Sequence, residues 1–240
     1  MRILVTGGNG RFCKELKKFF FGKNIYYQNK KEFDILNFKK ILLKLKKLKI
    51  DTLIHTAALS RPMILHDKDI NKSIEKNIIG TANIVRVCQK LNIKLIYFST
   101  SYVYPCTKGN YKENDLLKPI NNYAWSKLGG ECAVQMYKNS LILRITMTEF
   151  PFVHKKAFVN AKTNFIYHHQ FAKILPKLIK YKGIINVGGQ KMSIYNFAKK
   201  NNPKVLPIYL KKNNNFPKDS SMNIQKLKKI LKDKFFYNEK

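Results

Sequence analysis

The sequence predicts an α/β fold: a Rossmann doubly wound parallel sheet with a small C-terminal substrate-binding lobe. Three observations predict it. The chain opens on a short apolar strand, Ile3-Leu4-Val5, that runs directly into a glycine turn, Gly7 to Gly10. Apolar strand-like runs then alternate with helix-like stretches as far as Ile145, the rhythm of βαβ units and a parallel sheet. Tyr123 and Lys127 stand four residues apart on one of the predicted helices, so their side chains share a face.

In chain order, residues 2–6 read as a buried strand, 7–10 as a turn, 11–21 as a helix and 24–28 as a second strand. Over 38–49, Phe38, Ile41, Leu42, Leu45 and Leu48 form one helical face with lysines elsewhere, which fits a crossover helix because a strand at 52–56 follows directly; a membrane-surface helix has the same pattern. A long helical stretch at 69–91, a strand at 94–99, a helix at 123–139 and a strand at 141–145 complete the alternation. Beyond Ile145 the pattern loosens: strands at 165–167 and 184–187, helices at 170–181, 193–200 and 223–231, and a loop at 201–221 rich in Asn, Lys and Pro. The division expected is a dinucleotide-binding domain over 1–145 and a smaller substrate-binding part over 146–240, with the strand near 184–188 returning to the first.

Hydrophobic residues make up 45 % of the 240, the ordinary share for a globular core. No apolar run approaches the ~18 residues that span a bilayer, and the first residues read as a strand rather than a signal peptide. The expectation is a cytoplasmic protein with no membrane partner. The four cysteines, Cys13, Cys88, Cys106 and Cys132, show neither CxxC pairing nor metal-ligand spacing, so disulfides and a metal site are not expected. The net charge is +33, yet only five of the 47 basic residues are Arg. Nucleic-acid readers favour Arg, whose planar fork grips phosphates and guanine edges, so no specific nucleic-acid partner is expected. The charge does favour anionic substrates.

The turn Gly7-Gly8-Asn9-Gly10-Arg11-Phe12-Cys13 places glycines between a strand end and a helix start, where backbone N–H groups and the helix dipole accept a pyrophosphate. Cys13 stands where a third glycine is usual. The second strand ends without an acid that would bond an adenosine ribose; Lys30 and Lys31, with Arg11, suit a 2′-phosphate instead, which favours NADPH, with NADH as the alternative. At the other end of the site, a phenol alone is a poor acid–base near neutrality, with a reference pKa of about 10. A lysine one turn away favours the phenolate. The run Tyr97-Phe98-Ser99-Thr100-Ser101-Tyr102-Val103-Tyr104-Pro105 brings hydroxyls to the end of a strand upstream, and Gly130-Glu131 follows the lysine.

With these motifs the chain resembles the extended short-chain dehydrogenases/reductases, and most of all the dTDP-4-dehydrorhamnose reductase group. The resemblance extends to the segment 164–172, to Gly183–Val187 with the glycines after it, and to Pro217-Lys218-Asp219-Ser220-Ser221. It implies that Thr100, Tyr123 and Lys127 are catalytic, and that a nucleotide-diphosphate sugar carrying a 4-keto group is reduced. It places Gly7, Asn9, Gly10, Arg11, Phe12, Lys30, Asp34, Ile35, Thr56, Ala57, Ala58, Asn77, Ser99, Tyr123 and Lys127 around the cofactor, Asp34 against adenine. Ser101, which replaces the group's Asp, Tyr102 and Arg144 fall toward the substrate; a structural ion pair is an equal reading for Arg144. His55 reads as structural. A homodimer, an epimerase or dehydratase of the same fold, and a non-catalytic regulatory homologue remain open as alternatives.

Overall fold

A computed structural model describes residues 1–211 and 216–232 of the chain. Six strands form one fully parallel sheet: β1 (Ile3–Thr6), β2 (Ile25–Gln28), β3 (Thr52–His55), β4 (Lys94–Thr100), β5 (Ser140–Ile145) and the strand Gly183–Val187. From one edge the order runs β2, β1, β3, β4, β5, Gly183–Val187. The chain therefore reverses its direction of winding between β1 and β3, and ligands of open α/β sheets bind beyond the carboxyl ends of the strands at such a point.

The strands show why the sheet has to be covered on both faces. Alternate residues point to opposite sides, and both sets are apolar. Ile3, Val5, Ile54, Ile96, Phe98, Leu141, Leu143 and Ile145 pack with helix α1 (Arg11–Phe19), the helix His168–Leu178 and the helix Gln225–Leu231. Leu4, Leu53, Leu95, Tyr97 and Ile142 pack with helix α2 (Phe38–Leu48), the helix Gly80–Lys90 and the helix Asn122–Gln135. In α2, Ile41 and Leu45 are each 1 % exposed against the sheet, which decides for a crossover helix over a membrane-surface one. The helix is bounded by Asn37, whose side chain accepts from the Lys40 N–H at 3.0 Å, and by Lys49 in the left-handed region.

Two departures from the sequence expectation matter for the site. The stretch read as one helix over 69–91 is a short helix, Ile70–Ser73, a π-helical turn, Ile74–Ile79, and the helix Gly80–Lys90. After Ile145 the packing divides in two. His168–Leu178, Gly183–Val187 and Gln225–Leu231 join the sheet and its core, while Phe152, Ala157, Ala161, Tyr167, Ile194, Phe197, Ala198 and Val205 form a separate small cluster. Two-residue and three-residue strands stitch that cluster together: Met147–Thr148 with Ile166–Tyr167, Lys162–Thr163 with Met192–Ser193, and Lys156–Phe158 with Leu206–Ile208. The last of these lies inside the stretch read as loop over 201–221, of which residues 212–215 fall outside the described residues. All four cysteines are free, three of them buried. No helix among the described residues is long and apolar enough to cross a membrane.

Candidate functional site

A groove of about 2420 Å³ runs over the carboxyl ends of β1, β3 and β4 and under the small cluster. The glycine turn forms its floor at one end. Gly7 has φ +68, and a side chain there would meet the Ala57 backbone at 3.0 Å, so the turn needs glycine both for its conformation and for its approach to the segment after β3. Gly10 caps α1 without a side-chain bond, and no acid lies in the first turn of that helix. The N-terminal end of α1 is thereby presented to the groove with its dipole uncompensated. Gly8, not singled out by the sequence reading, packs on β2, where an added carbon would meet the Tyr27 carbonyl carbon at 3.0 Å.

His55 lies beneath this floor. The Thr6 hydroxyl oxygen accepts from the N–H groups of Thr56 and Ala57, at 3.2 and 3.1 Å, so its own proton goes to His55 Nδ1 at 3.0 Å. The imidazole then carries its proton on Nε2 and donates it to Thr81 at 3.1 Å. Burial, assisted by the nearby Lys127, pulls its pKa down to about 3, so the ring is neutral and serves as a structural link between β1, β3 and the helix behind them.

The catalytic-type residues converge as their spacing predicts. Asn121 caps the helix Asn122–Gln135 by accepting from the Ala124 N–H at 2.8 Å. Tyr123 comes from its first turn and Thr100 from the end of β4, and both line the groove. The Tyr123 ring stands between His66, at 5.1 Å, and Tyr102, at 6.4 Å. Burial raises the Tyr123 phenol, and the Thr100 hydroxyl and the Arg61 guanidinium oppose the rise. Lys127, 4 % exposed, places its ammonium 4.2 Å over the Tyr97 ring; burial lowers its pKa to about 7 against the opposing pull of Glu131. Arg61 is a second cation at this end of the groove.

Of the residues expected at the site, Gly7, Asn9, Gly10, Arg11, Phe12, Lys30, Asp34, Ile35, Thr56, Ala57, Ala58, Ser99, Thr100, Ser101, Tyr102, Tyr123 and Lys127 line the groove. Asn77 and Arg144 stand outside that lining. Asn77, in the π-helical turn, is fully buried; its amide accepts from the Leu59 N–H at 2.8 Å and donates to the Leu59 carbonyl at 2.9 Å and to Ser126 at 2.8 Å. It ties the loop after β3 to the helix Asn122–Gln135. Arg144 is 1 % exposed; its Nε and Nη2 donate to Glu131 Oε1 at 3.0 and 2.6 Å, and its Nη1 to Tyr104 at 2.7 Å. It is the ion pair of the two readings, with Ser99 donating to the other oxygen of the same carboxylate. Residues that the sequence reading missed complete the wall: Arg61, His66, Glu149 and His168. His66 donates to or accepts from Ser73 at 2.6 Å through Nδ1, while its buried Nε2 has no hydrogen-bond partner among the described residues.

Close packing behind the lysine yields a stability prediction. A carbon added at Gly130 would run into the Asn77 carbonyl oxygen and stand 2.8 Å from the Tyr97 hydroxyl, whereas one at Gly129 meets only the flexible end of Ile78, also at 2.8 Å. Gly130→Ala is expected to destabilise by about 1–3 kcal/mol as an overpacked site, and Gly129→Ala by clearly less. Urea unfolding midpoints check this; equal midpoints for the two variants would count against the packing described.

Among curated proteins, the β subunit of methionine adenosyltransferase 2 from Xenopus laevis is 29 % identical over 154 residues, covering 60 % of this chain and 46 % of that protein. The dTDP-4-dehydrorhamnose reductase of Aggregatibacter actinomycetemcomitans is 26 % identical over 152 residues, 61 % of this chain and 51 % of the reductase. The chain spans about half the length of these curated relatives. Among solved structures, a dTDP-4-dehydrorhamnose reductase from Bacillus anthracis in complex with NADP superposes with a TM-score of 0.83 at 24 % identity, over 95 % of this chain and 90 % of that one, a likeness of fold. The family model described as the RmlD substrate binding domain matches residues 1–173, which takes in the glycine turn, the Thr100–Tyr123–Lys127 set and the strands that carry them: the chain belongs to that family.

Proposed function

We propose that the protein is an NADPH-dependent reductase of a nucleotide-linked 4-keto-6-deoxy sugar, acting in the supply of deoxysugar or surface-polysaccharide precursors. The observation that carries this reading is the gathering of Thr100, Tyr123 and Lys127 in one groove, the last two a turn apart on the same helix, with the glycine turn at the other end. The names of the reductase relatives support it.

The residues present fit a dinucleotide. The uncapped start of α1 and the glycine turn suit a pyrophosphate, Lys30 a 2′-phosphate, and the small Ala57 and Ala58 a cofactor lying against the backbone. When bound, a reduced nicotinamide supplies hydride to a carbonyl carbon. The rest falls to this chain. Tyr123, a neutral phenol across the physiological range, donates its proton to the carbonyl oxygen as negative charge develops there. Thr100 donates a hydrogen bond to the same oxygen. Lys127 in its charged form holds the cofactor's ribose and eases the proton's departure from Tyr123. Asn77 and Ser126 keep the helix that carries both in register with the loop after β3.

A second reading, a non-catalytic regulatory subunit, is favoured by the name of the Xenopus laevis relative. Turnover separates the two. Oxidation of NADPH and NADH is followed against a panel of nucleotide-linked 4-keto sugars. NADPH oxidation with at least one of them is expected; binding of the cofactor without turnover of any would favour the subunit reading.

A further inference from the structure

Arginine is scarce in this chain, five residues against a large excess of lysine, and two of the five meet in the groove. Arg11, at the start of α1, lies with Nε 3.2 Å from Glu149 Oε1. Arg61, in the loop after β3, lies with Nη1 3.1 and 3.2 Å from the two oxygens of the same carboxylate. All three line the groove. Arg61 spends a single nitrogen on both oxygens, so the parallel two-nitrogen fork that guanidinium forms with carboxylate or phosphate is not made. Burial would raise the Glu149 carboxyl, but its own backbone N–H and the two guanidiniums hold it below the usual carboxylate range, so it is ionised. The cluster still carries two positive charges against one negative. The neighbouring His168, pulled down to about 4 chiefly by burial, adds no cation near neutrality.

We infer that Arg11 and Arg61 form a phosphate seat, and that Glu149 is its internal occupant, displaced when a diphosphate-bearing ligand enters the groove. This rests on the reductase reading only for the identity of the ligand, which is the pyrophosphate of a dinucleotide or the diphosphate of a nucleotide sugar. A phosphate offers the guanidinium fork the same planar pair of oxygens as a carboxylate, with more charge. It balances the surplus cation that Glu149 leaves. The occupant also has a cost: a ligand must first displace it, so the apparent affinity is reduced to the intrinsic one multiplied by the fraction of time the seat is empty.

The test measures dissociation constants by calorimetry for NADPH, for UDP and dTDP, and for inorganic pyrophosphate. The proteins are the wild type, Glu149→Gln, Arg61→Gln, Arg61→Lys and the double variant Arg61→Gln/Glu149→Gln, with thermal unfolding to verify that each folds. Glu149→Gln is expected to tighten at least one phosphate ligand by about three- to tenfold, the gain from emptying a seat filled most of the time. Arg61→Gln should weaken the same ligand by about tenfold or more, and Arg61→Lys should recover only part, because the fork is lost. In the double variant the gain from Glu149→Gln should shrink, since Arg11 alone then holds the seat. A response confined to NADPH assigns the seat to the dinucleotide, and one confined to UDP or dTDP assigns it to the sugar nucleotide. Unchanged or weaker binding of every ligand in a folded Glu149→Gln overturns the seat, even if the wild type reduces a keto sugar. Conversely, pyrophosphate following the expected pattern in a protein that binds no NADPH leaves the seat standing and removes the reductase reading.

Discussion

Tyr123→Phe is expected to lower kcat by about 10²–10⁴-fold, the range for loss of a positioned general acid, with NADPH affinity changed little. The phenylalanine ring can keep the same place between His66 and Tyr102, so what is lost is the hydroxyl and its proton. The pH dependence should identify the partner. Burial holds the Tyr123 phenol above its ordinary range, so it stays protonated through neutrality and imposes no limb there. Lys127, lowered to about 7 chiefly by burial, changes charge in the middle of that range. Its charged form predominates below that pH and is the one that favours proton release by Tyr123. For reduction, kcat/KM, which reports ionisations of the free enzyme, should therefore be level below about pH 7 and fall above it with unit slope. Lys127→Arg, always charged, should remove the descending limb even if it lowers the plateau. A profile flat to pH 9 in the wild type, or Tyr123→Phe within threefold of wild type, would deny the pair its role.

The parts of this site legible in the sequence are those set by local periodicity. A strand followed by Gly7 and Gly10 fixes a turn because only glycine accepts φ +68 against the Ala57 backbone, and four-residue spacing on a helix fixes Tyr123 and Lys127 to one face. The π-helical turn around Asn77 was not legible, because its geometry comes from tertiary bonds to Leu59 and Ser126 rather than from the pattern of Asn-Ile-Ile-Gly. Nor was the pairing of Arg61 with Glu149, 88 residues apart and brought together only by the crossing of the chain over the sheet. The one available signal was the rarity of arginine. Each of the five has a use for its planar head: Arg2 on the Leu48 carbonyl, Arg86 on the Phe38 ring, Arg144 on Glu131, and Arg11 and Arg61 on Glu149.

Arg144→Met should be the most destabilising of these changes, by about 3–5 kcal/mol, because it leaves a buried charge without its partner. Glu131 is wholly buried on the helix Asn122–Gln135, and beyond Arg144 its oxygens receive, among the described residues, only the Ser99 hydroxyl and the Gln135 amide. Arg144 pairs in register with Ser99 on one side and Asn186 on the other, and through Tyr104 it reaches the Asn186 amide. Its loss therefore loosens that helix, the centre of the sheet and the last strand together. At about 2–4 °C per kcal/mol for a chain of this size, the melting temperature should fall by roughly 6–20 °C. Replacing both residues, Arg144→Met with Glu131→Leu, removes the orphaned charge and should recover most of the loss. A single variant that melts within 2 °C of the wild type at pH 8 would mean that the pair does not hold these three elements together.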